Sequence, residues 1–91
     1  MKNDEFIKTA MKLYMMGVHG TKNQIILYTI WQSGEVRRKV LEALLPDTVT
    51  LQNSQITHLV NKGLIKKRER FNNRIKEVYY SLTQLSINQI N

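Results

Sequence analysis

The sequence predicts a small, mainly helical domain that carries one β-hairpin near its carboxyl end. Before Gly63, apolar residues recur three and four positions apart in four segments, which is the spacing of helices that bury one face. After Gly63 the pattern changes to an alternation rich in β-branched and aromatic residues, which favours strands. A length of 91 residues predicts one small domain spanning 1–91.

Composition limits how this domain is stabilised and what it binds. Cysteine is absent, which excludes disulfide bonds and thiolate metal ligands, so apolar packing must supply the stability, to some extent against a second copy. Fourteen Lys and Arg residues oppose seven acidic residues, and the net charge of +7 favours an anionic partner such as nucleic acid or an acidic membrane surface. No apolar run is long enough to cross a bilayer, and the first residues lack the apolar core of a secretory signal. We therefore expect a soluble, intracellular protein.

The first predicted helix runs from a candidate N-cap at Asn3 or Asp4 to a stop at Gly17. Its lysines, Lys8 and Lys12, lie outside a single apolar stripe. The stripe consists of Phe6, Ile7, Ala10, Met11, Tyr14 and Met15.

The second predicted helix begins at a capping-box pattern formed by Thr21 and Gln24 and ends near Gly34. It is apolar almost all round, which predicts the central helix of the core. Its two large aromatic residues, Tyr28 and Trp31, are therefore expected in the core and not on a base-stacking surface.

The third predicted helix occupies the segment "EVRRKVLEALLP" and ends at Pro46. The cations Arg37, Arg38 and Lys39 point away from its apolar side, either as a solvated face or as contacts to a phosphate backbone. The apolar side consists of Val36, Val40, Leu41, Leu44 and Leu45.

The fourth predicted helix is capped by Thr50 and ends at Gly63. One side is apolar and the other carries amides and hydroxyls, a pattern that alone describes an ordinary exposed surface. Directly before a basic segment, it favours a binding face instead. The inward residues are Leu51, Ile56, Leu59 and Val60, and the polar residues are Gln52, Asn53, Ser54, Gln55 and His58.

A β-hairpin is predicted where "LIKKRER" and "IKEVYYSL" are joined by a turn within "FNNR". Asparagine tolerates the positive φ of tight turns, which sets the tip at Asn72–Asn73. Alternation directs three residues of the second strand to the core: Val78, Tyr80 and Leu82.

The hairpin carries six cations against two acids. Lysines on strand edges prevent aggregation, but three arginines near the turn exceed what that role needs. After the hairpin, Thr83 is expected to cap a short helix in 84–91, which requires docking to be stable.

The order of these elements, and several residues in them, resemble the winged helix-turn-helix transcription regulators of the MarR, ArsR and PadR kind. The resemblance covers 21–83 as a winged-helix core, with 1–20 as an N-terminal arm and 84–91 as a short C-terminal segment. The matching residues in "ITHLVNKGLIKK" and "VYYSLT" are Ile56, Leu59, Gly63, Leu64, Ile65, Tyr80, Leu82 and Thr83.

The resemblance implies a homodimer that binds double-stranded DNA and regulates transcription, at the nucleoid in the cytoplasm. One helix reads base edges in the major groove, while flanking cations contact phosphates. Base reading is expected from Gln52, Asn53, Ser54, Gln55 and His58. Backbone or minor-groove contacts are expected from Lys62, Lys66, Lys67, Arg68, Arg70, Asn72, Asn73, Arg74 and Lys76, with further phosphate contacts from Arg37, Arg38 and Lys39.

Two features depart from the pattern of those families. Pro46 lies in the turn between the paired helices, and the C-terminal dimerisation helix usual in MarR proteins is missing. The N-terminal helix is therefore expected to form the dimer interface, through Phe6, Ile7, Met11, Tyr14 and Met15.

Two other functions remain open: a plasmid or virus DNA-segregation protein that spreads along DNA, and an adaptor whose basic hairpin docks an acidic protein. The segment "GVHGTK" lacks the strand and residue order of a Walker loop and the sheet of a KH domain. His19 and His58 are the only histidines and have no carboxylate cluster beside them in sequence, so no metal is predicted. Neither an enzyme nor a cofactor is predicted, because no nucleophile–histidine pattern and no paired carboxylates occur.

Overall fold

The chain folds into a mixed α/β domain. The computed structural model describes residues 2–15, 17–18 and 20–90, with side chains from residue 7 onward. Within them, five helices pack with one three-stranded antiparallel sheet. The elements are α1 (Lys2–Met15), α2 (Thr21–Ser33), β1 (Val36–Arg37), α3 (Arg38–Leu44), α4 (Asn53–Asn61), β2 (Ile65–Asn72), β3 (Ile75–Leu82) and α5 (Gln84–Ile90).

One hydrophobic core joins the helices to the base of the sheet. Helix α2 is central to it, as predicted, because Ile26, Leu27 and Ile30 are at most 1% exposed, while Trp31 packs at its margin. Tyr80 is the largest fully buried side chain and brings β3 into the same core. The core thus contacts the hairpin from its base out to Val78, and the part nearer the turn lies beyond the core.

The predicted hairpin is confirmed, and its strands pair from Ile65 opposite Leu82 to Asn72 opposite Ile75. A third strand was missed, because β1 lies within a segment predicted to be helical throughout. Val36 pairs with Tyr80, and its buried side chain extends the core side of the sheet. Two residues are too few to produce a detectable alternation, so the sequence pattern could not separate β1 from α3.

The turn of the hairpin lies one residue further along than predicted. Asn73 and Arg74 have φ values of 50° and 68°, and positive φ at both central residues is the signature of a type I′ turn. Asn72 belongs to β2 and pairs with Ile75. The tip is therefore Asn73–Arg74, which places an arginine at the outermost point of the hairpin.

Two predicted helix caps are wrong. Helix α2 is preceded by Gly20, and the Gln24 side chain donates to the Val18 carbonyl (2.7 Å) instead of closing a box with Thr21. Helix α4 begins with a capping box formed by Gln52 and Gln55, not with a Thr50 cap. Both segments offer several polar residues in a row, so the sequence alone does not identify which of them caps the helix.

Two further details of the helix predictions need correction. Helix α1 begins at Lys2 and so already includes the candidate caps at Asn3 and Asp4, although its stop at Gly17, with φ 93°, is confirmed. In the third segment, Val40 and Leu44 are 48% and 55% exposed, because the seven-residue helix α3 buries one narrow face. That face contains Leu41, and Leu45 is buried directly after the helix.

As predicted, Thr83 caps helix α5. Its hydroxyl accepts a hydrogen bond from the Ser86 backbone N–H (3.3 Å). The same Thr83 hydroxyl donates to the Gly63 carbonyl (2.8 Å), and the buried Ser86 hydroxyl donates to the Leu64 carbonyl (2.9 Å). Burial of Ile90 completes the docking. Helix α5 is therefore fixed to the junction between α4 and β2.

Replacing Ser86 with alanine is expected to lower the free energy of unfolding by about 0.5–1.5 kcal/mol, because the Leu64 carbonyl loses one of its two donors and keeps the Thr83 backbone N–H (3.1 Å). Urea unfolding followed by circular dichroism measures the difference. The matched control is Gln89→Ala on the exposed side of α5, which should change stability by about 0.5 kcal/mol or less. Equal effects of the two substitutions would contradict the role of the Ser86 hydroxyl.

Candidate nucleic-acid interface

Helix α4 presents a continuous polar face to solvent. Its inward residues Ile56 and Leu59 are buried. The residues on the opposite side of the helix, which are spaced three or four positions apart, are exposed. The exposed set consists of Asn53, Ser54, Thr57, His58 and Asn61. Thr57 and Asn61 were absent from the predicted base-reading residues, although their i+4 and i+8 spacing from Asn53 is the signal that would have found them.

The two glutamines predicted to read bases are engaged in the helix cap. The Gln55 side-chain oxygen accepts from the Gln52 backbone N–H (3.3 Å), and the Gln52 side chain accepts in return from the backbone of Gln55. Gln55 is also half-buried. These residues shape the start of α4, and the exposed polar groups further along the helix are better placed for contacts.

The cations of the hairpin alternate between its two faces, because residues directly opposite each other in the ladder share a face. Lys66, Arg68 and Arg70 lie on one face and Lys67 and Lys76 on the other. All five are exposed, as is Arg74 in the turn. The hairpin is therefore cationic on both sides.

Two of these cations share one carboxylate. Lys67 and Lys76 each lie 3.2 Å from an oxygen of Glu69, on the same face. Their hydrogen bonds, first that of Lys67 and then that of Lys76, lower the pKa of Glu69. Exposed ion pairs of this kind contribute little stability, so the chief effect is to neutralise some of the positive charge on that face.

Arg68 is held midway along β2. Its guanidinium donates to both carboxylate oxygens of Glu35, at 2.7 and 3.1 Å, and lies 4.7 Å from the centre of the Tyr79 ring. The hydrogen bond from Arg68 is the main cause that lowers the pKa of Glu35. Glu35 immediately precedes β1, so this contact joins the hairpin to the connection after α2.

The Arg68–Glu35 pair predicts a defined pH dependence. Because the pKa of Glu35 is lower in the folded state, its stabilising effect is present above the ordinary glutamate pKa of about 4.3 and is lost as pH falls through the folded value. Wild type should be more stable than Glu35→Gln at pH 7, and the difference should shrink below about pH 4. Urea unfolding at a series of pH values measures this. An unchanged difference at the lowest pH would contradict it.

Arg70 and Arg74 are exposed cations with no ion pair among the described residues. Arg70 lies opposite Glu77 in the ladder, but that carboxylate pairs with Arg37 (3.3 Å) and accepts from the Tyr79 hydroxyl. Both guanidinium groups are therefore available to an external anion. Lys66 is exposed beside a cleft of about 560 Å³ and faces the already paired Glu35.

The cations predicted for the third helix lie beside the hairpin. Arg37, Arg38 and Lys39 line an open cleft of about 280 Å³ together with Lys76. Arg37 is paired with a glutamate of β3, and Arg38 donates to Glu42 (3.1 Å) and to the Tyr80 hydroxyl (3.3 Å). Lys39 is exposed and has no ion pair among the described residues. Of the three, Lys39 is the most available.

Lys62, at the end of α4, donates to the Gly17 carbonyl (2.8 Å). This bond ties the end of α4 to the connection between α1 and α2. Its role in the described structure is therefore a tertiary contact, with the ammonium group still exposed.

Helix α1 exposes an apolar stripe on the side away from the core. It buries Leu13, whereas the exposed fraction reaches 65% at Met11 and 86% at Met15. The remaining exposed apolar residues of the stripe are Ile7 and Tyr14. The prediction for Phe6 falls on a side chain outside the described residues, and His19 lies outside them as well.

Within the described residues, no group of three or more His, Cys, Asp or Glu side chains is arranged to hold a metal ion. The longest described helix has 14 residues, and none is long and apolar enough to cross a membrane. No family model matches the chain, and no curated protein matches its sequence.

Proposed function

We propose that this protein is a homodimeric winged-helix protein that binds specific double-stranded DNA sites and represses transcription by occupying a promoter. The observation that carries the proposal is the direct succession of an exposed polar helix face, on α4, and a projecting hairpin with two arginines that have no ion pair among the described residues. The first surface suits base edges and the second suits phosphates.

The winged-helix assignment requires an ordered link between α3 and α4. The connection between α3 and α4 spans 45–52, which is longer than a tight helix-turn-helix turn. Burial of Val49 and Leu51, with a hydrogen bond from the Val49 N–H to the Pro46 carbonyl (2.9 Å), anchors this connection. Pro46 is thus accommodated in an ordered link that still presents α4 outward.

Base reading is assigned to the exposed side of α4. Asparagine amides pair bidentately with adenine in the major groove, and each good pair discriminates by about 1–3 kcal/mol. Asn53 and Asn61 are the candidates for such pairs, with Ser54, Thr57 and His58 beside them. Because this face carries no arginine, we expect sites rich in A·T pairs.

Phosphate contacts are assigned to Arg70, Arg74 and Lys39, which are exposed and have no ion pair among the described residues, and to Lys66. Arg68 acts mainly through its bond to Glu35, which anchors the middle of β2 to the connection after α2. The conformation of the hairpin is therefore set before binding.

A dimer is assigned to the exposed stripe of α1. A patch of four apolar side chains on one helix is the kind of surface that monomers cover by association. With two-fold symmetry, the α4 helices would address half-sites about 34 Å apart, one turn of the duplex.

Selection of bound duplexes from a random pool, followed by fluorescence anisotropy in rising salt, tests the proposal. We expect an enriched palindrome and an affinity that falls by roughly 0.9 decades per phosphate contact for each tenfold rise in salt. Absence of binding at low salt would overturn it and leave an acidic protein as the partner of the hairpin. A footprint that lengthens with protein concentration would assign the binding to DNA segregation, and a fixed footprint to repression.

A further inference from the structure

The tip of the hairpin exposes two apolar side chains outside the hydrophobic core. Phe71 is 71% exposed and Ile75 is 61% exposed, and neither belongs to the hydrophobic core or packs at its margin. Single exposed apolar residues are ordinary on protein surfaces, but an aromatic ring and a branched side chain together at the end of a cationic hairpin form a small apolar patch among charges. Such a patch suits contact with a binding partner.

The two residues make the tip apolar on both of its faces. Phe71 shares a face with Lys76, and Ile75 shares the other with Asn72, immediately before and after the Asn73–Arg74 turn. Phe71 also lies six residues beyond Ile65, the last buried residue of β2, which corresponds to roughly 20 Å of strand. The apolar pair thus lies beyond the hydrophobic core, whose outermost contact with the hairpin is Val78, opposite Glu69.

Positive charge surrounds this apolar tip. Arg70 precedes Phe71, Arg74 occupies the turn, and Lys76 is directly opposite Phe71. An apolar group between cations suits a partner with an anionic exterior and an apolar interior. A stacked DNA duplex has that character, with phosphates outside and base-pair faces inside.

An anionic membrane shares this chemistry, but the dimensions favour DNA. Two side chains at a narrow tip bury too little area for stable attachment to a bilayer, which requires larger apolar faces or two anchoring signals. A single apolar side chain is sufficient to unstack a base step when arginines hold the phosphates on each side.

We propose that Phe71 is an apolar wedge that enters the minor groove and partly unstacks one base step, with Ile75 lining the opposite side of the tip. This inference rests on the proposed DNA binding. The minor groove of B-DNA is about 6 Å wide and paired strands are about 4.8 Å apart, so entry of the tip with its side chains requires the groove to open. The kink produced by a wedge supplies that opening.

The wedge determines which sequences flank the site read by α4. Pyrimidine–purine steps such as TA and CA unstack most easily, whereas A-tracts are stiff. Binding should therefore favour a TA step under the hairpin over an A-tract at the same position. The hairpin would then contribute specificity without hydrogen bonds to bases.

The test uses the whole protein and a duplex of about 30 base pairs carrying two selected half-sites one helical turn apart. Donor and acceptor dyes at its ends report bending, and 2-aminopurine at successive positions reports unstacking by a rise in fluorescence. Phe71→Ala removes the wedge and Phe71→Leu retains an apolar one. Leu85→Ala, which removes an exposed apolar side chain from α5, is the matched control, and circular dichroism verifies that each variant is folded.

We expect wild type, Phe71→Leu and Leu85→Ala to bend the duplex and to raise 2-aminopurine fluorescence at one flanking step. Phe71→Ala should lose both signals and bind about tenfold more weakly, with an unchanged salt dependence because the arginines remain. If Phe71→Ala bends DNA as wild type does, the wedge is overturned while DNA binding stands. If wild type binds no duplex, both proposals fail, and Phe71-dependent binding to vesicles of anionic phospholipid would assign the tip to a membrane.

Discussion

Replacing Arg70 and Arg74 together with alanine is expected to weaken binding to duplex DNA by about a thousandfold at 0.1 M salt. Each arginine is exposed and has no ion pair among the described residues, so each is assigned one phosphate contact per protomer, and four contacts would be lost from the proposed dimer. At about 0.9 per contact, the negative slope of log K against log salt should become shallower by about 3.6. Anisotropy titrations over a salt series measure both quantities.

Lys22→Glu is the matched control for this loss. It changes the net charge by the same two units at one exposed position on α2, far from the hairpin in sequence. It should leave the salt slope nearly unchanged. If it lowers the affinity as much as the double variant does, then overall charge governs binding and the hairpin has no special role in it.

Arg74→Gly separates folding of the hairpin from binding. Asn-Gly is the preferred pair for a type I′ turn, and glycine removes the cost of a left-handed arginine, so the free energy of unfolding should rise by about 1 kcal/mol. DNA affinity should nevertheless fall, because a phosphate contact is lost. Urea unfolding and anisotropy on the same preparation measure the two changes. If stability and DNA affinity both rise, or both fall, the assignment of Arg74 is contradicted.

Replacing Met11 with glutamate is expected to dissociate the proposed homodimer. Met11 is 65% exposed at the middle of the α1 stripe, so a carboxylate there would be buried without a partner on association. A cost of about 3 kcal/mol raises the dimer dissociation constant by about 100-fold or more. Sedimentation velocity over a concentration series measures this, and DNA affinity should fall in parallel because the two half-sites are then bound independently.

Leu44→Glu introduces the same charge at an exposed apolar residue of α3 and is the control for Met11→Glu. It should sediment as wild type does. A wild-type protein that remains monomeric at all concentrations, or dissociation by both variants, would remove the α1 interface from the proposal.

The regions of the fold that depend on repeated local patterns were predictable. Alternation of Val78, Tyr80 and Leu82 predicted the second strand of the hairpin, and these residues do face the core. The turn was misplaced by one residue because asparagine marks tolerance of positive φ, whereas the register is set by the pairing of Ile65 with Leu82 far from the turn. Strand β1 consists of only two residues and forms through contact with β3, so no local pattern encodes it.

The residue types of the candidate site were predictable, but the sequence did not show which of its cations are free to contact a ligand. The sequence identified the hairpin cations, yet it could not distinguish Arg68, paired with Glu35 across 33 positions, from Arg70, which has no ion pair among the described residues. It also missed Phe71 and Ile75, because alternation suggests which side a residue faces but not where the core ends. Whether a strand residue is buried depends on how far the sheet extends beyond the helices, which is a tertiary property.

The bond between Arg68 and Glu35 governs where the end of the hairpin can go. Phe71 lies three residues, roughly 10 Å, beyond Arg68 along β2, so a rotation of about 5° at that contact would displace the ring by nearly 1 Å. That displacement is about a quarter of the spacing between neighbouring base pairs along a duplex, which is about 3.4 Å. A two-pronged contact with one carboxylate, supported by the face of Tyr79, resists such rotation in two directions. The angular precision of the hairpin therefore depends on a residue that need not touch DNA at all.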